Sequence, residues 1–325
     1  MQLPFERIKR EIIVKKKSEP SSRFGKKPEE RTAKELASYG IINVDKPSGP
    51  SSHQVSAYVR QILEIEKTGH SGTLDPKVTG VLPVALGRGT RIVQSLLNAG
   101  KEYICLMHLH HEVPEKKLRA ACESFVGKIK QLPPVKSAVK RQERWRKIYY
   151  LEILEIKEQD VLFLVGCQAG TYIRKLVHDI GQKIGGAHMI ELRRTKAGPF
   201  NESSLVTLQE LKDAFIFYKQ GNDAMLKKLI MPIERGVEHL AKIWIADSSV
   251  DAICHGAQLK VPGVAQLNHF EIEDEIAIMT LKNELVAVGH AAMKSKDVLK
   301  NEKGVVVKLN QVFMQPNVYP KMERS

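Results

Sequence analysis

One carboxylate, Asp75, stands in the stretch Gly69-His70-Ser71-Gly72-Thr73-Leu74-Asp75-Pro76-Lys77-Val78-Thr79-Gly80. A residue before proline is pushed out of the helical region, and Pro76 has no N–H to give to a ladder, so Asp75 is held extended on a stiff segment. Gly69, Gly72 and Gly80 permit tight turns and close approach of another backbone or of a ligand, and His70 adds a ring able to stack or hydrogen-bond. The carboxylate is thus aimed rather than buried in a regular element. The same residues also suit an ordinary turn in which an Asp bonds to its own backbone.

Arg174 is the second candidate. Ile173, Leu176, Val177, Ile180 and Ile184 recur at helical spacing and predict one buried face. Arg174 falls off that stripe near the helix start, where it can meet a carboxylate from elsewhere or stand as a solvated charge. Glu191-Leu192-Arg193-Arg194-Thr195 adds two cations and reads, by itself, as an ordinary amphipathic segment. His108, His110 and His111 raise the question of a metal, but in a strand 108 and 110 share a face that 111 leaves, and no Cys or second His pair lies near in sequence. They are expected to be strand-end surface histidines, with no metal. From Pro133 to Lys147 the chain carries Lys136, Lys140, Arg141, Arg144, Arg146 and Lys147 around Trp145, a loop able to track a phosphate backbone while its indole stacks.

The elements that must hold these groups come from patterning. Residues 1–35 are rich in Lys, Glu, Ser and Pro around one apolar patch, Ile12-Ile13-Val14, and form an arm, expected to pack on the C-terminal domain. Ile41-Ile42-Asn43-Val44 is a short buried strand, Asp45 to Pro50 a rigid turn, and Ser51 or Ser52 caps a helix through Val55, Val59 and Ile62. Thr90 to Leu97 is helical. Lys101 to Leu109, Ile148 to Ile156 and Val161 to Gln168 are strands. The mixture predicts an α+β body.

Of 325 residues, 51 are Lys or Arg and 37 Asp or Glu; the net charge of +14 makes a polyanion the natural partner. No apolar run approaches the ~18 residues of a spanning helix. With no signal-peptide-like hydrophobic start, the expected location is cytoplasmic. Cys105, Cys122, Cys167 and Cys254 show no paired spacing and are expected to be reduced thiols.

The order of motifs carries more than any one of them. Asp45-Lys46-Pro47-Ser48-Gly49, the Gly69 to Pro76 stretch, Lys101-Glu102-Tyr103, Gly170-Thr171-Tyr172-Ile173-Arg174 and Leu192-Arg193-Arg194 together resemble the TruB-type pseudouridine synthases. Within that family the chain is similar to the dyskerin-type archaeal catalytic subunit of the box H/ACA ribonucleoprotein, through Met107-His108-Leu109-His110, Pro133 to Arg141 and Ala187-His188-Met189. Gly89 stands where alanine is common and His111 where glycine is common, and the link between Ile184 and Gly186 is one residue shorter than in archaeal relatives.

The resemblance implies an α+β fold: a mixed-sheet catalytic domain at 36–236 and a PUA β-barrel at 240–325, of which Trp244 to Val250, His255 to Leu259 and Val261 to Val264 carry the likeness. It implies isomerisation of uridine to pseudouridine in rRNA under an H/ACA guide RNA, with the T-loop of tRNA as a further target and no cofactor. Asp75 matches the catalytic group, acting as nucleophile or as the base of a glycal-type path. Arg174 pairs with it, Tyr103 stacks on the target uracil, and Leu192 walls the pocket. His70 lies against the RNA where the uridine flips out. Tyr172 and Lys46 join the substrate-binding set. Lys136, Lys140, Arg141, Arg144, His255 and Gly256 are the expected RNA contacts. Implied partners are guide RNA, substrate rRNA or tRNA, and small zinc-ribbon, β-barrel and kink-turn-binding subunits, with no membrane. Removing the PUA unit is expected to weaken RNA affinity more than it harms the pocket. The alternative reading is a silent RNA-binding scaffold of the same fold.

Overall fold

The structure, a computed structural model, describes residues 1–133 and 142–321. Two sheets frame it. In the ten-stranded sheet lie β1 (Gly40–Lys46), β2 (Thr68–His70), β3 (Thr79–Leu86), β4 (Lys101–Leu109), β5 (Gly127–Gln131), β6 (Arg144–Lys157), β7 (Asp160–Cys167) and β8 (Ala187–Ala197). Their order is β1, β3, β8, β4, β7, β6, β5, with Met231–Pro232 beyond β1, β2 paired to β3 and Phe200–Asn201 paired to β8. The β3–β8 pair is parallel, matching Thr79 with Arg193 and Gly80 with Arg194, whereas β8 and β4 run antiparallel with Tyr103 opposite Arg194. The sheet is therefore mixed, and its centre is where the candidate residues gather.

Two helices matter for the site. In α1 (Ser52–Ile62), Ser51 is the cap: its hydroxyl accepts from the N–H of Gln54, whose side chain accepts in return from the N–H of Ser51. That reciprocal pair satisfies two orphan donors and fixes where the helix starts. In α2 (Ile173–Ile184), the five apolar residues of the sequence stripe are all buried, and Gly185 closes the helix at φ 103°, a left-handed position glycine takes at little cost.

The second sheet has seven strands, ordered Ile13–Val14, Val264–Leu267, Ala241–Ile245, Glu275–Thr280, Leu285–Ala291, Val305–Val312 and Leu259–Lys260. Glu275–Thr280 and Leu285–Ala291 pair antiparallel as a strand-turn-strand unit. The amino-terminal segment reaches both frames: Ile13 pairs with Leu267, while Leu3 is fully buried and the carboxylate of Glu6 meets Lys196 of β8.

Tyr39, Ile41, Val81, Ile92, Leu96 and Ile233 share one apolar cluster with Trp244, Met279, Leu285, Val288 and Phe313. The two sheets are thus joined by a common core. Removing the C-terminal unit would therefore take away part of the cluster that also holds Val81, at the end of the catalytic loop.

Three local differences from the sequence reading have physical causes. The stretch from Thr90 begins inside a 3₁₀ turn, Gly87–Ile92, before an α-helix at Val93–Asn98. Arg144, Arg146 and Lys147 lie on β6, laddered with β5, rather than in a loop. Residues 191–195 are not an amphipathic surface segment but the middle of the central strand β8. All four cysteines are free and buried. Among the described residues, no helix is long and apolar enough to cross a membrane.

Candidate active site

Asp75 sits between β2 and β3 in a loop tied down on three sides. Its own carbonyl accepts from Val78 N–H at 2.9 Å, the Pro76 carbonyl accepts from Gly49 N–H at 2.9 Å, and the Pro83 carbonyl accepts from Ser71 N–H at 3.0 Å. Ser52, the first residue of α1 and fully buried, accepts from Leu74 N–H at 2.8 Å and donates back to the Leu74 carbonyl at 3.2 Å. Beneath the loop the ammonium of Lys46 donates to the carbonyls of Pro47, Pro76 and Val78 at 2.9, 2.9 and 2.8 Å. This backing fixes the backbone of the turn while the Asp75 side chain projects from it, with Thr73, Pro76 and Lys77 also exposed.

Arg174, second residue of α2, closes on Asp75 in a salt bridge across the cleft; both side chains are 55% exposed. Gln131, at the end of β5 and buried, grips the peptide of Tyr172 from both sides. Its amide donates to the Tyr172 carbonyl at 3.1 Å and its oxygen accepts from the Tyr172 N–H at 3.0 Å. Since Tyr172 is the N-cap of α2, this fixes the first turn on which Arg174 is mounted.

The walls come from the strands. Tyr103 on β4 is buried, and it shares an apolar cluster with Leu74, Val78 and Ile173, against which the half-buried Leu192 of β8 packs. Asp75 and Arg174 thus follow Leu74 and Ile173 in the chain, two members of the cluster that holds Tyr103 and against which Leu192 packs. His70 ends β2 half-buried, edge-on to His53 with ring centroids 4.7 Å apart. Burial first, then His53 and Arg194, push its imidazole down to about 4, so the ring is neutral at neutral pH and suited to a base or an apolar surface more than to a phosphate.

Lys46 departs from its expected part. It is 0% exposed and its three N–H bonds go to loop carbonyls, so it holds the loop and does not face a substrate. Burial and the nearby Arg194 both push its ammonium down. Lys136, Lys140 and Arg141 lie outside the described residues. Arg144 is half-exposed on β6. Beside it, an open cavity of about 590 Å³ is lined by Lys128, Trp145, Arg146, Lys147 and Gln168, and the Arg146 guanidinium donates to the Gly170 carbonyl at 3.1 Å, in the turn before Arg174. His255 and Gly256 are exposed just past the helix Asp247–Cys254, with open space where a Cβ on Gly256 would point. His108 pairs with Asp160 at 2.7 Å and His110 with His188 at 3.1 Å.

Gln131 is not singled out by the sequence, and Ser52 and Arg194 stand out there only as a cap candidate and as part of a basic motif, not for the groups they hold. Each acts on backbone groups remote in the chain, and residue type alone does not announce that. For Arg194 a signal existed: once the segment is a central strand, a cation there must be buried.

Family models match the chain along almost its whole length: the DKCLD domain over residues 2–56, the TruB family pseudouridylate synthase N-terminal domain over 60–173, the tRNA pseudouridylate synthase B C-terminal domain over 174–238 and the PUA domain over 241–313. A protein of Pyrococcus abyssi named as a probable tRNA pseudouridine synthase B is 55% identical over 97% of this chain and 96% of its own. The same name attaches to a Nanoarchaeum equitans protein, 53% identical over 98% of this chain and 92% of its own. Among solved structures, a chain from a Cbf5-Nop10-Gar1 complex superposes with a TM-score of 0.94 at 52% identity over 98% of both chains. A chain from an H/ACA RNP bound to a substrate RNA containing 2′-deoxyuridine gives 0.92 at 50% identity, over 99% of this chain and 100% of that one.

Proposed function

Because the chain belongs to the TruB family of pseudouridylate synthases, we propose that it isomerises uridine in rRNA as the catalytic subunit of a box H/ACA ribonucleoprotein, with Asp75 as the reacting carboxylate. The observation that carries the reading is the Asp75–Arg174 pair, formed between residues 99 apart in sequence beside the apolar cluster that holds Tyr103 and Leu192. The reaction needs the bond between uracil N1 and the ribose broken, the base turned, and a new bond made from carbon-5, without redox change. One carboxylate suffices, either by adding to C1′ or by opening a glycal-type path. Arg174 orients it, Tyr103 offers a stacking face, Leu192 closes the side, and the neutral ring of His70 lies where an everted nucleotide would enter. Tyr172 sets the helix start. Arg144, with Lys136, Lys140 and Arg141, tracks the RNA backbone, and His255 and Gly256 hold RNA on the PUA unit.

Residues 36–236 are proposed as the catalytic unit, 240–325 as the RNA-holding unit and 1–35 as an arm. The related chain crystallised with Nop10 and Gar1 supports small protein subunits as partners. Zinc-ribbon, β-barrel and kink-turn-binding types are proposed for them, with guide RNA, and no cofactor. A second substrate, the tRNA T-loop, is favoured by the names of the Pyrococcus and Nanoarchaeum relatives. The test is tritium release from 5-tritiated uridine in guide-matched rRNA and in tRNA, with and without guide RNA and partners. Asp75→Asn should abolish release while RNA binding stays; normal turnover by that variant would remove Asp75 from the mechanism.

A further inference from the structure

We propose that Arg194 is a positioning residue of the isomerisation: a buried guanidinium that ties both ends of the Asp75 loop to the ring of Tyr103, fixing the carboxylate and the stacking wall in one register. The inference rests on the reaction taking place in this pocket.

Arg194 is 1% exposed, on β8 at the centre of the larger sheet. Its Nε donates to the Val81 carbonyl at 2.7 Å and its Nη2 to the Gly72 carbonyl at 3.3 Å. These carbonyls bracket residues 73–80, the segment that presents Asp75. Across the β4–β8 ladder it faces the buried Tyr103, so guanidinium and phenol are neighbours beneath the loop and each acts on the other's charge. The backbone of the same residue completes the hold. Gly80, at φ 97°, lets β3 approach so closely that a Cβ there would come within 2.3 Å of the Arg194 carbonyl. Gly72, at φ 123°, turns the chain where the guanidinium takes its carbonyl.

Among the described residues, the charge is met by backbone carbonyl oxygens, with the Tyr103 phenol as a neighbour, and not by a carboxylate. Burying a cation without a counter-ion carries a desolvation penalty that a neutral donor avoids, so a neutral donor would serve if holding one carbonyl were all that was required. What arginine adds is a rigid planar fork with donors at fixed angles, able to face three separate segments at once. Two of those segments are the ends of the loop that aims Asp75, and the third is the wall on which the base would stack. Arg194 itself, beneath the loop, touches neither ribose nor base.

The consequence is a loss in turnover that RNA affinity does not share, since misplacing reacting groups by about 1 Å can cost on the order of 10²-fold. The experiment uses the assembled ribonucleoprotein, measuring single-turnover tritium release and RNA binding for wild type, Arg194→Lys, Arg194→Met, Tyr103→Phe and the Tyr103→Phe/Arg194→Met double variant. Arg194→Met is expected to be slower by about 10²-fold with RNA affinity within about threefold of wild type, and Arg194→Lys to lie about midway between them. The double variant should lose less than the product of the two single losses, because the hydroxyl and the guanidinium act as a unit. Turnover by Arg194→Met within about threefold of wild type, or rate and RNA affinity falling together in both Arg194 variants, overturns the proposal. Should Arg194→Met fail to fold, Arg194→Lys decides: a folded, RNA-binding protein about tenfold slower supports it, and a wild-type rate refutes it. An inactive wild-type complex would instead defeat the functional reading on which the inference rests.

Discussion

The Asp75–Arg174 pair lies half in solvent, where an ion pair contributes roughly 0–1 kcal/mol to stability because water and salt screen it. Its use is therefore directional, and its removal should separate function from folding. Arg174→Ala is expected to move the thermal midpoint by less than about 4 °C while tritium release falls at least about 10²-fold. A variant that unfolds early, or one that turns over normally, would contradict that assignment. Asp75 was legible in the sequence because its means of presentation are local: a proline after it and glycines on both sides. Arg174 was legible as a cation displaced from an apolar stripe, but its partner was supplied by family resemblance. Lys46 was visible as part of a motif yet misplaced, since its acceptors at Pro76 and Val78 are 30 and 32 residues away and are backbone atoms that no residue type discloses.

At the scale of elements, the loop is positioned less by its own sequence than by what surrounds it. Periodicity found the strand Lys101–Leu109 and the helix Ile173–Ile184, where apolar residues repeat cleanly. It missed β8, because a central strand bearing Glu191, Arg193, Arg194 and Thr195 has no apolar alternation; Glu191 is exposed, and the other three are tolerated there because each finds a partner. Arg193 meets Asp45 and Glu202, and Thr195 donates to the buried carboxylate of Glu102 at 2.9 Å. The same principle governs β1, whose last residue, Lys46, carries the loop. Lys46→Met would leave the Pro47 and Val78 carbonyls without that donor and the Pro76 carbonyl with Gly49 N–H alone, at about 1–3 kcal/mol for each orphaned group that water cannot reach. The expected result is a loss of several kcal/mol in denaturant unfolding, a large part of the ~5–15 kcal/mol typical of a folded domain. A stability within about 1 kcal/mol of wild type would mean that the ammonium is not what secures the turn.

Across the whole molecule, charge and composition indicated a nucleic-acid partner, but nothing in them showed that the two sheets share a core or that the amino-terminal segment fastens both. That information resides in a shared cluster that holds Ile41 and Val81 together with Trp244 and Phe313, which no periodicity records. The junction between the sheets is also where acid should act. His239 is 8% exposed, its ring edge-on to Phe5 at 6.0 Å, and its carbonyl accepts from Arg10 at 2.7 Å. Burial chiefly, with Lys101, Arg10 and Lys242 adding repulsion against a backbone hydrogen bond at Ser95 that acts the other way, pushes the imidazole down to about 4. The unfolded chain would take up this proton near the ordinary value of about 6.5. Between those two values the unfolded state binds more protons, so the junction's contribution is complete above about pH 6.5 and drains away as the pH falls toward 4, by about 3 kcal/mol in total. His239→Leu removes the titration and keeps an apolar filling. Its unfolding free energy should fall less steeply than wild type between pH 6.5 and pH 4, with the carboxylates common to both proteins cancelling in the difference. Parallel pH profiles for the two proteins would show that the imidazole is solvated in the native state and that the junction is looser than its buried contacts indicate.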